Sequence, residues 1–259
     1  MSVLARQRQD RILEQIDQDG AARVSDLVDR LGVSDMTIRR DIAVLARRGL
    51  VVRVHGGAVP VGRATEEPGF AAKRTLRPQT KATIAEAAAA LVAPGDSVAI
   101  SGGTTTFAVA RAVLDVPDLT VVTNSVPVGE LLHTHGSPNR TVILTGGERT
   151  PSDALVGPVA DRALEALHVD WLFLGVHGID ERAGYTSPNL VEAATNRALI
   201  RSARHVAVVA DSSKWGVVSL ASMAALGEAD VLVTDPDLDP EARTFLDRRV
   251  DRLVIATPS

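Results

Sequence analysis

The sequence predicts two units. The first is a small N-terminal winged helix-turn-helix, three helices plus a β-wing. The second is a larger α/β domain on a mostly parallel sheet. Three observations carry this. VSDLVDRLGVSDMTIRRDIAVLARR spells helix, short glycine turn, helix. PVGRATEEPGFAAKRTLRPQ then breaks every periodic pattern with three prolines and two glycines. Beyond it, short apolar β-branched runs alternate with helical runs, as in a parallel sheet covered on both faces. The expected boundaries are 1–58 for the winged helix-turn-helix, 59–78 for a linker with a helical turn or two around Phe70–Leu76, and 79–259 for the α/β domain.

The elements follow in order. A first helix spans Arg6 to Asp19, with Ile12, Leu13 and Ile16 on one face. A second carries Leu27, Val28 and Leu31, and Gly32-Val33-Ser34 forms the turn. In the third helix Ser34 is the N-cap, Asp35 suits the first turn, and Ile38, Ile42 and Leu45 form a thin apolar stripe. The opposite face holds Met36, Arg40, Ala43 and Arg47, flanked by Thr37, Arg39 and Arg48. Such a helix can pack on a small domain and still enter a DNA major groove. LVVRV, then HGG, then AVPV reads as a hairpin wing with Arg53 and His55 near its tip. A solvated charged face is the plain alternative, and the helix and glycine turn just before it tell against that. Ser25, Ser34, Met36, Thr37, Arg39, Arg40, Arg47, Arg53 and His55 are the expected contacts to double-stranded DNA.

Composition sets limits. The 259 residues are 45% hydrophobic and 23% charged, enough for a sizeable core. The absence of cysteine excludes disulfides and Cys-ligated metal sites, as a reducing cytoplasm would suit. MSVLARQRQD has no apolar signal region, and no apolar run reaches membrane-spanning length. A cytoplasmic protein without a membrane partner is expected. The net charge of −4 would argue against DNA, but residues 34–55 place five arginines against Asp35 and Asp41. Local basicity is what phosphates meet.

In the second unit the strand candidates end in small, polar, glycine-rich stretches. In a parallel sheet these lie together at the carboxyl edge, where ligands bind. The candidate site is therefore Ser101, Gly102, Gly103, Thr104, Thr105, Asn124, Ser125, Gly146, Gly147, His177, Asp180, Glu192, Arg197 and Lys214. SGGTT before a helix offers N–H groups and hydroxyls suited to a phosphate. It is not a Walker loop, and glycines after strands also serve turns. Asp180 equally suits a turn cap, and Lys214 a solvated charge. The six histidines lack ligand-like clustering, so no metal or other cofactor is expected.

RILEQI, the T-I-R-R-D-I core, R-G-L and H-G-G-A together resemble the DNA-binding domain of the DeoR family of bacterial sugar-metabolism regulators. SGGTTT, VVTNSVP, LTGGE, LFLGVHGID, GYTSPNLVEAATNRALI and VVADSSKWG resemble that family's C-terminal domain. The resemblance implies a ribose-5-phosphate-isomerase-like fold that takes a phosphorylated sugar or related metabolite and thereby releases operator DNA. It also implies a homo-oligomer, dimer or tetramer, since one helix reads few base pairs. The implied function is a non-enzymatic repressor of carbohydrate-metabolism genes. Two positions depart from the family pattern: Ser101 replaces an aspartate and Asn196 a lysine. Both are rim positions on this reading, so the effector would differ from the usual one or the site would be degenerate. The alternative is a sugar-phosphate isomerase-like enzyme carrying a DNA-binding domain. It would draw acid and base from Asp180, Glu192, Asp211 and Lys214.

Overall fold

Apolar spacing builds the first unit. In the computed structural model its elements are α1 (Val3–Asp19), β1 (Ala22–Arg23), α2 (Val24–Leu31), α3 (Asp35–Arg47), β2 (Val51–Val54) and β3 (Gly57–Pro60). The structure describes residues 3–19, 22–48, 50–54, 57–60, 70–136 and 139–258. Ile12, Ile16, Leu27, Ile38, Ile42, Leu45 and Val51 make one buried core. Gly32 ends α2 in the left-handed region at φ 64°, and its N–H donates to the Val28 carbonyl at 2.9 Å. Ser34 caps α3: its Oγ accepts from the Thr37 N–H at 3.4 Å. β3 pairs antiparallel with both β2 and β1. A Cβ on Gly57 would lie 2.3 Å from the Ala22 carbonyl oxygen, so only glycine lets the wing close on β1. A two-residue strand such as β1 is too short to leave a periodic signal.

One contact in this unit has no counterpart in the sequence patterns. Asp41 of α3 is buried, and its carboxylate accepts from Arg8 Nε at 2.5 Å and Gln9 Nε2 at 2.9 Å. It clamps α1 onto the inner side of α3.

Composition makes 59–78 a linker; the structure instead divides the chain between Glu66 and Glu67. β3 belongs to the first unit, and α4 (Phe70–Arg74) opens the second. The Phe70 ring packs edge-on against Phe107, with centroids 5.5 Å apart, and the Arg74 guanidinium stands 4.8 Å over that same ring. This short helix falls within Phe70–Leu76, where a helical turn or two is expected. Arg77, at φ 47°, turns the chain into α5 (Pro78–Ala89). The buried Lys81 ammonium reaches back and donates to the carbonyls of Lys73 (2.8 Å) and Leu76 (2.6 Å), satisfying groups at the end of α4.

The remainder runs β4 (Ser97–Ile100), α6 (Thr104–Ala112), β5 (Thr120–Thr123), α7 (Val126–Thr134), β6 (Thr141–Leu144), β7 (Glu148–Arg149), β8 (Leu155–Val156), α8 (Pro158–Glu165) and β9 (Val169–Gly175). Then come β10 (Gly178–Asp180), β11 (Gly184–Ser187), α9 (Leu190–Ser202), β12 (Ala203–Val209), β13 (Ala221–Ala224), β14 (Val231–Thr234), α10 (Pro240–Asp247) and β15 (Arg252–Ile255). Seven strands form one parallel sheet in the order β15-β14-β12-β9-β4-β5-β6. Alternation along each strand feeds two cores. Leu172, Leu174, Val206 and Val208 face α8, α9 and α10, while Phe173, Ala207 and Val209 face α5, α6 and α7. A second, antiparallel sheet, β10-β11-β13, has no counterpart in the sequence patterns. Its strands are three or four residues long and β11 is buried throughout, so neither length nor alternation marks it. Among the described residues no helix is long and apolar enough to cross a membrane.

Candidate functional sites

On α3, Met36 is 79% exposed and Arg39 and Arg40 are exposed, with Thr37 and Ala43 half-buried beside them. The apolar stripe is spent on the core, so these groups form the helix's outer face. Arg39 is partly committed: its Nε donates to Asp35 Oδ1 at 2.5 Å one turn earlier, an exposed pair. Asp41 points inward to Arg8 and Gln9, so it does not dilute the positive charge on the outer face. Ser34 is occupied as the cap, and Ser25, exposed on α2, donates to Asp26 Oδ1 at 3.0 Å. Arg47 ends α3 and Arg53 lies in β2, where it stands opposite Ala58. His55 lies outside the described residues.

In the second unit all parallel strand ends share one edge. The Ser101 hydroxyl is fully buried and accepts from the Gly175 N–H at 2.9 Å, tying the end of β4 to that of β9. Gly102 N–H donates to Asn124 Oδ1 at 2.9 Å, and Asn124 Nδ2 donates to the Leu155 carbonyl at 3.1 Å. Ser125 caps α7. Asn124 and Ser125 are therefore buried framework beneath the loop. Gly103 sits at φ 149° and its carbonyl accepts from the Phe107 N–H at 3.0 Å, the first turn of α6. Thr104 and Thr105 open that helix, where N–H groups project along the axis. Gly146 and Gly147 adopt positive φ, and a Cβ on Gly147 would lie 2.5 Å from the Val156 carbonyl oxygen.

A charged group stands at the same edge, after β12. Asp211 is buried, accepts from the Ser213 N–H at 3.0 Å, and lies 3.6 Å from Arg77. Burial would raise its pKa, yet Lys214, Ser213 and Arg77 together hold it below the ordinary carboxylate value. Lys81 is lowered to about 8 by burial first, with Lys214 and Arg77 adding to the shift and Asp211 opposing it. Lys73 is lowered to about 7 by burial, with Lys214 and Lys81 repelling its charge and Glu192 supporting it. Burial, then Lys214 and Lys73, push His177 down to about 3, so its imidazole is neutral near pH 7. Glu192 Oε1 accepts from Thr150 (2.6 Å) and Ser152 (2.5 Å).

The predicted His177, Glu192 and Lys214 thus belong to one electrostatic cluster. Asp180 and Arg197 do not join it. Asp180 Oδ1 accepts from the Arg182 and Ala183 N–H groups at 2.9 and 2.8 Å, capping the β10–β11 turn. Arg197 donates to the Ser222 carbonyl on β13. Asn196 is also no rim residue: it is buried, with Nδ2 3.1 Å from Met223 Sδ. Sequence reading missed Lys73, Arg77 and Lys81, although their four-residue spacing was a signal; Pro78 and the linker-like composition masked it.

Residues 8–63 match the DeoR-like helix-turn-helix domain and residues 77–236 the DeoR C terminal sensor domain. The HTH-type transcriptional regulator GlpR of Haloferax volcanii is 38% identical over 93% of this chain and 94% of its own. The glycerol-3-phosphate regulon repressor of Escherichia coli K12 is 33% identical over 88% and 90%. Ribose 5 phosphate isomerase A from Neisseria gonorrhoeae overlaps 56% of each chain at a TM-score of 0.41 and 17% identity.

Proposed function

From the premise that the chain belongs to the DeoR family of transcriptional regulators, we propose that it is a repressor released from its operator by a phosphorylated sugar or related metabolite. The observation that carries the effector half is the coupling of four cationic side chains, Lys73, Arg77, Lys81 and Lys214, around Asp211 after β12, at the same sheet edge on which SGGTT follows β4. A neutral sugar would gain little from that charge; a phosphate gains from both. The relative named for a glycerol-3-phosphate regulon agrees with this ligand class.

α3 reads the operator, with Arg40 and Arg47 toward the groove and Met36, Thr37 and Arg39 near the helix start. Homo-oligomers place two or more such helices on repeated half-sites. The ligand acts by linkage. It binds the operator-free arrangement more tightly and so shifts the equilibrium, a coupling of about 1–3 kcal/mol. The test is a titration of the gene's own upstream DNA at fixed salt, with and without a panel of sugar and polyol phosphates. At least one compound is expected to weaken binding about tenfold, which is about 1.4 kcal/mol. A full panel that leaves affinity unchanged overturns the effector reading. Arg40→Ala is expected to cost about 1–3 kcal/mol of operator affinity. Unchanged operator binding by this variant removes Arg40 from the contact set.

A further inference from the structure

The first turn of α3 carries an acid on a surface that has to meet phosphates. Asp35 and Arg39 stand four residues apart beside Met36 and Arg40, with side chains 56% and 54% exposed. Arg39 Nε donates to Asp35 Oδ1 at 2.5 Å. The bond uses one edge of the guanidinium and fixes its plane, while Nη1 and Nη2 remain for a second acceptor. Other polar groups of this turn are committed to the cap: Ser34 Oγ lies 2.9 Å from Thr37 Oγ1 and accepts from the Thr37 N–H. One turn back from Arg40 stands Met36. α3 therefore supplies a carboxylate to the first of its neighbouring arginines and none, at that spacing, to the second. An exposed pair of this kind adds little to a helix. On a helix that enters a groove the same acid repels every phosphate it approaches. That cost is uniform over all sequences. It sharpens discrimination where the remaining donors of Arg39 find two acceptors together.

We propose that Asp35 is a positioning residue for sequence recognition: it orients the Arg39 guanidinium so that its two terminal nitrogens donate to O6 and N7 of one guanine in each operator half-site. The assignment rests on the reading above that α3 enters the operator groove. Held in plane by Asp35, Arg39 gives up less side-chain freedom when a bidentate bond forms, so the gain at guanine is larger. A phosphate can draw Arg39 away only against the repulsion of Asp35. The acid thus favours base reading over backbone contact at this one arginine.

The test starts with the full chain and a pool of random-sequence duplexes, from which it selects its own site at fixed salt. Each guanine of that site is then replaced in turn by 7-deazaguanine, which lacks only the N7 acceptor. At one guanine per half-site the wild type is expected to lose about tenfold in affinity. Asp35→Ala should lose less than about twofold there, and its preference for the selected site over scrambled DNA should fall about tenfold, with scrambled DNA bound more tightly than by wild type. Arg39→Ala should be equally insensitive to the analogue, and the double variant should discriminate no worse than R39A. Asp35→Asn, which keeps an acceptor for Nε, should retain an intermediate preference. Both side chains are more than half exposed, so these variants are expected to fold. If D35A weakens selected and scrambled DNA by the same factor, Asp35 only supports the helix and the proposal falls. It falls too if D35A keeps the sensitivity to 7-deazaguanine, or if D35A costs further specificity in the R39A background, where Asp35 would read a base itself. Selection that survives unchanged in both single variants removes this proposal and leaves α3 as the reading helix. If the wild type enriches no sequence, that reading falls as well.

Discussion

Asp41→Ala is expected to unfold the DNA-binding unit first, at a cost of about 2–4 kcal/mol. Asp41 is buried and accepts from Arg8 and from Gln9, itself only 2% exposed. Removing the carboxylate leaves Gln9's amide donor without its partner in a closed core and loosens Arg8, 20% exposed. Burying an unpaired donor costs more than the bond itself contributes. Asp41→Asn keeps one acceptor but loses the charge, so its loss should be smaller. Hydrogen exchange on the full chain reads this directly. Amides of α1 and α3 should lose protection in D41A while β9 and β12 keep theirs. Operator binding should fall with them, and phosphate binding should not. Wild-type protection throughout α1 would mean that the clamp holds nothing.

The second large effect is in pH. Without ligand, the second unit is expected to grow more stable from about pH 7 to about pH 10, by about 2–3 kcal/mol from Lys73. The native pKa of Lys73 is about 7, against about 10.4 in an unfolded chain. Between those values the unfolded state holds more protons, so stability rises with pH. The full difference would exceed the figure given, which is discounted for relaxation and water entry around the ammonium. Lys81, lowered to about 8, adds in the same direction. Asp211 adds no slope here. Its native pKa is depressed, so its contribution is complete above the unfolded carboxylate value near 4 and fades only in acid. Above about pH 10 the curve should turn over, because burial raises the Tyr185 phenol and the unfolded chain ionises first. Urea melts across this range check the curve. K73M should flatten most of the rise between pH 7 and 10, and a wild-type curve already flat there would show that Lys73 is not desolvated.

What could be read in advance follows from which residues carry a period. Ile38, Ile42 and Leu45 recur at helical spacing and are buried as that spacing requires, and Ser34 caps where a cap was needed. The seven parallel strands announce themselves because both faces are covered and each is a run of apolar residues. The sheet β10-β11-β13 does not, since Gly178 and Gly184 are there for close backbone approach: a Cβ would lie 2.1 Å from the Val217 oxygen and 2.2 Å from that of Ala224. At the carboxyl edge the chemistry of SGGTT and Lys214 was visible, but Asp180, Arg197 and Asn196 turned to backbone or core partners that no local pattern records. Lys73 and Asp41 were hidden for the same reason. Their partners lie on other elements, and a single chain read in order does not show which distant residue a charge will meet.

Lys81 holds α4 by main-chain oxygens, which every amino acid supplies. The identity of residue 73 can therefore change without undocking the helix that carries it. That separates position from chemistry: the helix is held by its backbone, whatever side chain stands at residue 73.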